Sequence, residues 1–147
     1  MNDITKSIKD FKHKIKIKVR FSDLDAMRHV NNAAYLSYLE EARIAYFKDV
    51  FEKTKDGLDF GAVVARIEID YLLPIMLGDE IEVVTRVSKM GTKSSDVEHL
   101  ILVERNGTKV AAASALTKLV SYDYEKQISF VTPAWVKKKI EEFEKRN

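Results

Sequence analysis

Residues 32–51 limit the possible folds more than any other stretch. Tyr35, Leu39, Ala42, Tyr46 and Val50 fall on one stripe at helical spacing, and Leu36, Ile44 and Phe47 widen it until little of the girth is polar. A helix that is apolar around most of its circumference expects burial on several sides. A flat partner cannot provide that, but a curved sheet can.

The rest of the chain supplies the strands. Lys14, Lys16, Lys18 and Arg20 alternate with Ile15, Ile17, Val19 and Phe21, which reads as a half-buried strand. Its lysine row fits a solvated face that keeps a sheet edge from pairing with other chains; a patch steering an anionic ligand is the alternative. Residues 52–60 are charged, include Gly57 and serve as a connector. Val63, Ala65, Ile67, Ile69 and Tyr71 then alternate with Arg66, Glu68 and Asp70 in a long second strand. Pro74 ends that strand, and Gly78-Asp79 marks a turn.

Three further strand-like runs follow, over residues 80–89, 94–104 and 109–120. Asn106-Gly107 is a hairpin signal between the last two. Ala111 to Ala115 could also be helical by propensity, and their small side chains would let another element approach closely. Pro133 opens a final helix that buries Val136, Ile140 and Phe143.

With connections too short for parallel crossovers, the last four strands pair mainly antiparallel. The predicted architecture is α+β: a curved five-stranded antiparallel sheet wrapped around a central helix, plus a C-terminal helix. The chain of 147 residues is the size of one ordinary domain, with residues 1–12 read as a flexible N-terminal segment. The net charge of +2 is too small to imply a nucleic-acid partner. With no cysteine there is no disulfide, thiol nucleophile or thiolate metal site. No run approaches a membrane span, so a cytoplasmic location is the default.

Between the first strand and the helix lies the chemistry. Asp23, Asp25, His29, Asn31 and Asn32 crowd the stretch from Phe21 to Tyr35. Asn32 stands where the helical pattern begins and is a good N-cap residue; Asn31 and Asn32 together serve as turn and cap. A helix N-terminus is electropositive and stabilises developing negative charge. An acid or base beside such a site is equipment for acyl transfer. Spacing alone does not rank Asp25 above Asp23, and either could simply stabilise a turn or the helix dipole.

The run Asp25, His29-Val30-Asn31-Asn32 and Tyr35 resembles the signature of hotdog-fold acyl-CoA thioesterases of the 4-hydroxybenzoyl-CoA thioesterase type, including the plant acyl-ACP thioesterases. A second block from Val63 to Tyr71, followed by Pro74 and Gly78-Asp79-Glu80, is similar to the same family. The resemblance spans about residues 14–120 and implies the hotdog fold. It assigns catalysis to Asp25, as nucleophile or as base for water, and a catalytic part to His29. His29 could instead orient Asp25. The backbone N–H of Asn32 would polarise the thioester carbonyl.

Met27 stands where the plant enzymes carry Asn, so their full triad does not transfer, and Arg28 stands where many relatives have Gly. Tyr35 is either an acyl-pocket or a core residue. The segment Lys89 to Ser95 resembles the family's CoA-approaching segment, making Lys89, Lys93 and Ser94 candidate substrate contacts, or else a solvated hairpin tip. The resemblance also implies an acyl-CoA or acyl-ACP substrate, no cofactor, and a homodimer or homotetramer with pockets where subunits meet. The long second strand offers a pairing edge.

A metal reading of Asp23, Asp25 and His29 lacks a second cluster to complete the shell. Two other functions remain open: a non-catalytic acyl-thioester sensor, which would not need Asp25, and a hydroxyacyl-thioester dehydratase using Glu40 or Glu41 of the helix.

Overall fold

The computed structural model describes residues 8–51 and 61–145. The expected connector at 52–60 and the first seven residues lie outside them. Strand β1 (His13–Lys18) leads through a short 3-10 turn (Phe21–Asp23) into helix α1 (Asn32–Val50). Strands β2 (Ala62–Tyr71), β3 (Glu80–Met90), β4 (Ser94–Arg105) and β5 (Thr108–Asp123) follow. The chain then passes through the short β6 (Ile128–Ser129) into helix α2 (Ala134–Glu144). The sheet order is β1-β3-β4-β5-β2 with every pairing antiparallel, and β6 adds to β5. The five expected strands and two helices are present, with β6 as an unforeseen addition.

Alternation decides which face of the sheet is apolar. Ile15 and Ile17 of β1, Ile81 and Val83 of β3, and Ile101 and Val103 of β4 meet Tyr35, Tyr38, Leu39 and Ala42 of α1 in one core cluster. A second cluster joins Tyr46, Phe47 and Val50 to Val87, Val97 and Leu119, closed by Val136, Ile140 and Phe143 of α2. The Tyr46 hydroxyl donates to the Glu144 carboxylate, which also accepts the Val87 N–H at 3.0 Å and so pins α2 to β3. The α1 stripe is buried as expected, but Leu36 and Ile44 keep 41% and 42% exposure in the single chain.

Several expectations shift. The first strand ends at Lys18, and Phe21 is 81% exposed instead of facing the core. Asp23 is the cause: its side chain accepts the Arg20 N–H and its own N–H donates to the Arg20 carbonyl, curling the chain out of the sheet. Lys14, Lys16 and Lys18 do form a solvated edge. In β2 a bulge between Val64 and Arg66 breaks the single alternation, so Ile67 and Ile69 reach the core while Ala65 does not. Residues 8–12 are not loose, because Ile8 and Phe11 pack on Val84, Leu100, Leu102 and Ala111 across the outer face. The alanine run is β-strand, and Asn106 and Gly107 both take positive φ, as a tight hairpin requires. Pro133 caps α2 from just outside, and the helix begins at Ala134.

Two contacts position the region before α1. The helix cap is Asn31, not Asn32: its side-chain oxygen accepts the Ala33 N–H at 2.8 Å. The Asn31 N–H in turn donates to the Asp23 carbonyl at 2.7 Å. The loop from Pro74 to Asp79 braces the other side. Its Ile75 carbonyl accepts the Val30 N–H at 2.7 Å, and Met76 bridges His29. Arg105 clamps that loop with two 2.9 Å bonds to Asp79 and one to the Pro74 carbonyl. Burial alone would raise the Asp79 carboxyl, but the Arg105 guanidinium and the Met76 N–H outweigh it and hold the carboxyl below its ordinary range.

Asn31→Ala should lower unfolding free energy by about 1 kcal/mol. Asn32→Ala should stay within about 0.5 kcal/mol of the parent. Urea denaturation followed by circular dichroism checks both. A depressed carboxyl contributes stability that is complete above its unfolded pKa of about 3.9 and lost as pH falls through the lower folded value. Asp79→Asn should therefore flatten the loss of stability as pH falls below about 4, read by thermal melts at successively lower pH.

Candidate active site

The loop after the 3-10 turn is a miniature hairpin. The Asp25 N–H donates to the His29 carbonyl at 2.8 Å, the Arg28 N–H to the Asp25 carbonyl at 3.0 Å, and Leu24 bridges Val30. Arg28 closes the turn at φ 65°, the left-handed region that glycine enters at least cost. A positive φ thus gives a physical reason for glycine in similar loops, and here an exposed arginine accepts the strain.

The hairpin aims the Asp25 carboxylate. One of its oxygens accepts the Met27 N–H at 2.8 Å and the His29 N–H at 3.3 Å. The other oxygen has no partner among the described residues. Asp25, His29, Asn32 and Tyr35 line a cleft of about 240 Å³, completed by Val30 and the segment Tyr71 to Pro74. Asp23 has a different job. Its carboxylate accepts the Tyr38 hydroxyl at 2.7 Å as well as the Arg20 N–H. Burial, then that bond, pushes the Tyr38 phenol well above the ordinary tyrosine range.

The start of α1 forms the floor of the cleft. Helix geometry leaves the first N–H groups without intrahelical acceptors. Asn31 N–H is taken by Asp23, Ala33 N–H by the Asn31 side chain and Ala34 N–H by the Asn31 carbonyl. The Asn32 N–H is the one left over: among the described residues no acceptor meets it. The Asn32 carbonyl accepts the Tyr71 hydroxyl at 3.2 Å, holding the end of β2 against the helix start. Tyr35 is buried at the cleft wall, edge-on to Tyr71 at 4.9 Å, so it is both core and lining.

Lys89, Lys93 and Ser94 are not brought to this cleft within one chain. They flank the β3–β4 turn, whereas the cleft is braced by the loop that enters β3 from its other end. At a rise of roughly 3.3 Å per residue, the eleven residues of β3 separate those ends by about 33 Å. Lys93 reaches Ser129 at 3.3 Å, and Lys89 is exposed beside a bulge. Glu40 and Glu41 are exposed on α1 and line no part of the cleft. Among the described residues, no three His, Asp or Glu side chains gather as a metal site, and no helix is long and apolar enough to cross a membrane.

Leu72 and Leu73 are site residues that pattern reasoning missed. Their signal was available: an apolar pair between a strand end and Pro74, where a solvated turn would be polar.

Comparison with known proteins agrees with this fold. Residues 19–140 match the thioesterase-like superfamily. The chain is 34% identical over 133 residues to the long-chain acyl-CoA thioesterase FadM of Escherichia coli (strain K12), covering 88% of this chain and 98% of that protein. A thioesterase from Thermus thermophilus, solved with coenzyme A and zinc, superposes with a TM-score of 0.81 at 40% identity. That superposition covers 95% of this chain and 98% of the other. A 4-hydroxybenzoyl-CoA thioesterase mutant in complex with 4-hydroxybenzoyl-CoA shares the fold at a TM-score of 0.76 and 15% identity, over 87% and 97% of the two chains. With its antiparallel sheet around α1 and a match across most of its length, this chain belongs to the thioesterase-like superfamily and has the hotdog fold.

Proposed function

We propose that this protein hydrolyses acyl-CoA thioesters to a carboxylic acid and free CoA, using Asp25 and the Asn32 backbone N–H. One observation carries the reading: a carboxylate with a free oxygen and an unclaimed helix-start N–H line the same cleft. With the thioester carbonyl oxygen at the Asn32 N–H, the helix dipole and that donor stabilise the oxyanion as it forms. Asp25 serves as base or as nucleophile. As base, it takes a proton from water while the water oxygen bonds to the carbonyl carbon. As nucleophile, its oxygen bonds to that carbon and water later cleaves the anhydride. In both routes the C–S bond breaks and the thiolate leaves with its electron pair, without strong acid assistance. His29 fixes Asp25 through two main-chain bonds, and its ring completes the cleft wall.

The acyl carrier extends this reading. FadM is named for acyl-CoA, and a similar Arabidopsis thaliana protein is named an acyl-acyl carrier protein thioesterase. Coenzyme A is the carrier we favour, because two proteins of the same fold were solved with it bound.

Assembly also belongs to this proposal. Strand β2 is a sheet edge with an unpaired side. Antiparallel pairing of two β2 edges about a two-fold axis sets the Ala62 end of one copy beside the Tyr71 end of the other. Val63 is in register with Val120, and Val120 with Ser94. A second copy thereby brings its Lys93 and Ser94, with Lys89 behind them, towards the Asp25 cleft. The lysines then meet the phosphates of CoA as point charges. This explains how residues far from the cleft in one chain can serve it in a homodimer, the unit from which a homotetramer would be built.

Asp25→Asn should lower the rate of thiol release from acyl-CoA about 10²–10⁴-fold with the fold intact. Glu41→Gln should leave that rate unchanged, and a thiol-reactive dye reads both; thiol release unaltered by Asp25→Asn would overturn the assignment. Lys93→Glu should raise KM for acyl-CoA about tenfold with little change in kcat. Sedimentation should meanwhile show the parent protein as a dimer or tetramer, and a monomer active at the same KM would contradict the shared site.

A further inference from the structure

The core of this protein is cut in two by a polar layer. On β3, Ile81 and Val83 belong to one apolar cluster and Val87 to the other, with Thr85 between them. On β4 the same division falls at His99, between Ile101 and Val97, and on β5 at Thr117, between Ala115 and Leu119. On α1 it falls at Arg43, between Ala42 and Tyr46. His13, Thr85 and His99 are directly opposed across β1, β3 and β4, so the layer crosses the sheet as one row.

Each histidine spends one nitrogen on a neighbour: His13 Nε2 meets Asp49 at 2.7 Å, and His99 Nδ1 meets the Thr85 hydroxyl at 2.9 Å. What remains is unmatched. His13 Nδ1, His99 Nε2, Thr117 Oγ1 and Arg43 Nη1 are sealed from solvent with no hydrogen-bond partner among the described residues. His99 and Thr117 are 1% and 0% exposed. A buried polar atom without a partner is costly, and apolar side chains of the same shape would remove that cost. Polar residues between the two apolar clusters on β3, β4, β5 and α1, with His13 of β1 in the same row and buried atoms left unmatched, therefore point to something they bind.

The chemistry of that occupant follows from the donors. Arg43 can only donate, and among the described residues no carboxylate forms an ion pair with it. Burial lowers its pKa, with Glu40 acting against that shift from the exposed side. Burial first, and then the Arg43 charge, drives His99 down to about 3, so its ring is neutral at pH 7. In the tautomer in which the Thr85 hydroxyl donates to Nδ1, His99 Nε2 carries the proton. Arg43, His99 and the Thr117 hydroxyl then offer three donors under a positive charge, which suits an oxygen acceptor. The helix packs mainly on β1 and β3, and Arg43 is half-buried on it, close enough to His99 for its charge to act there. It lies about three turns from Asn32, roughly 16 Å at ~1.5 Å per residue.

We propose that this layer is an internal subsite for an oxygen-bearing acyl group, in which Arg43, His99 and Thr117 receive a carboxylate, carbonyl or hydroxyl oxygen at the far end of an acyl chain whose thioester sits at Asn32. This rests on the acyl-CoA reading above. It makes the layer a measure of both length and polarity: a chain that ends short or in a methyl leaves the donors unmatched. A site built to hydrogen-bond a substrate oxygen discriminates against analogues that lack it far more strongly than an apolar pocket discriminates by size.

The test uses alkyl-CoA thioethers, which have no carbonyl and are inert to hydrolysis. Chains from hexyl to dodecyl ending in methyl, hydroxyl or carboxylate are titrated calorimetrically into the wild-type protein. At one chain length an oxygen-ended ligand should bind at least tenfold tighter than its methyl-ended counterpart, and carboxylate above hydroxyl identifies charge pairing with Arg43. Arg43→Met and the near-isosteric Thr117→Val should each bring that ratio to within about twofold. Equal or tighter binding of the methyl-ended ligand at every length, or a ratio unchanged in both variants, overturns the proposal. Turnover of the matching oxygen-ended acyl-CoA thioesters by the same wild-type preparation reports separately on hydrolysis. Its absence beside a binding preference would remove the hydrolase reading and leave the subsite standing.

Discussion

The hydrogen bond from the Ala33 N–H to the Asn31 side chain decides what the start of α1 can do. With Asn31 N–H held by Asp23 and Ala34 N–H by the Asn31 carbonyl, the cap consumes the neighbouring donors and leaves the Asn32 N–H, on a residue that lines the cleft, without an acceptor among the described residues. Had Asn32 been the cap, the free donor would have shifted one residue along the helix, rotating by about 100° at 3.6 residues per turn. The carboxylate of Asp25 would then face a different group. The geometry of the site is therefore set by a capping choice between two adjacent, chemically identical side chains.

That choice is enforced from outside the helix. Asp23 holds Asn31 through its carbonyl while its carboxylate ties down Tyr38 in the core, so an acid that touches no part of the cleft fixes the frame for one that does. The loop clamped by Arg105 and Asp79 presses on the opposite arm of the hairpin through Ile75 and Met76. Rigid supports on both sides are what the proposed acid–oxyanion pair would need, since misplacement by an ångström is costly in rate. The cleft lies beside the C-terminal end of edge strand β2, where the second copy of the proposed dimer would approach it.

Much of this was legible in the residues. The alternating runs placed β1, β3, β4 and β5 to within a few positions, Asn106-Gly107 located a hairpin, and the apolar girth of residues 32–51 located α1. The Asp25 to Tyr35 stretch stood out by its chemistry, and the structure brings Asp25, His29, Asn32 and Tyr35 to one cleft. What escaped has physical causes. Two adjacent asparagines look alike to a pattern, and only the Asp23 carbonyl separates them. The β2 bulge changes which residues face inward without altering the alternation of letters. Phe21 continues the apolar row of β1, yet a side chain two residues later turns it outward. The polar layer is invisible in sequence because His13, Arg43, Thr85, His99 and Thr117 are scattered over a hundred positions, and only strand register lines up His13, Thr85 and His99.

The most direct measurement of the central claim is a crystal structure with a hydrolysis-resistant acyl-CoA analogue that retains a carbonyl. The account predicts that carbonyl oxygen within about 2.7–3.1 Å of the Asn32 nitrogen, with a carboxylate oxygen of Asp25 facing the carbonyl carbon either directly or through one water. A carbonyl bound elsewhere, with the Asn32 N–H turned to solvent or to a protein acceptor, would contradict it.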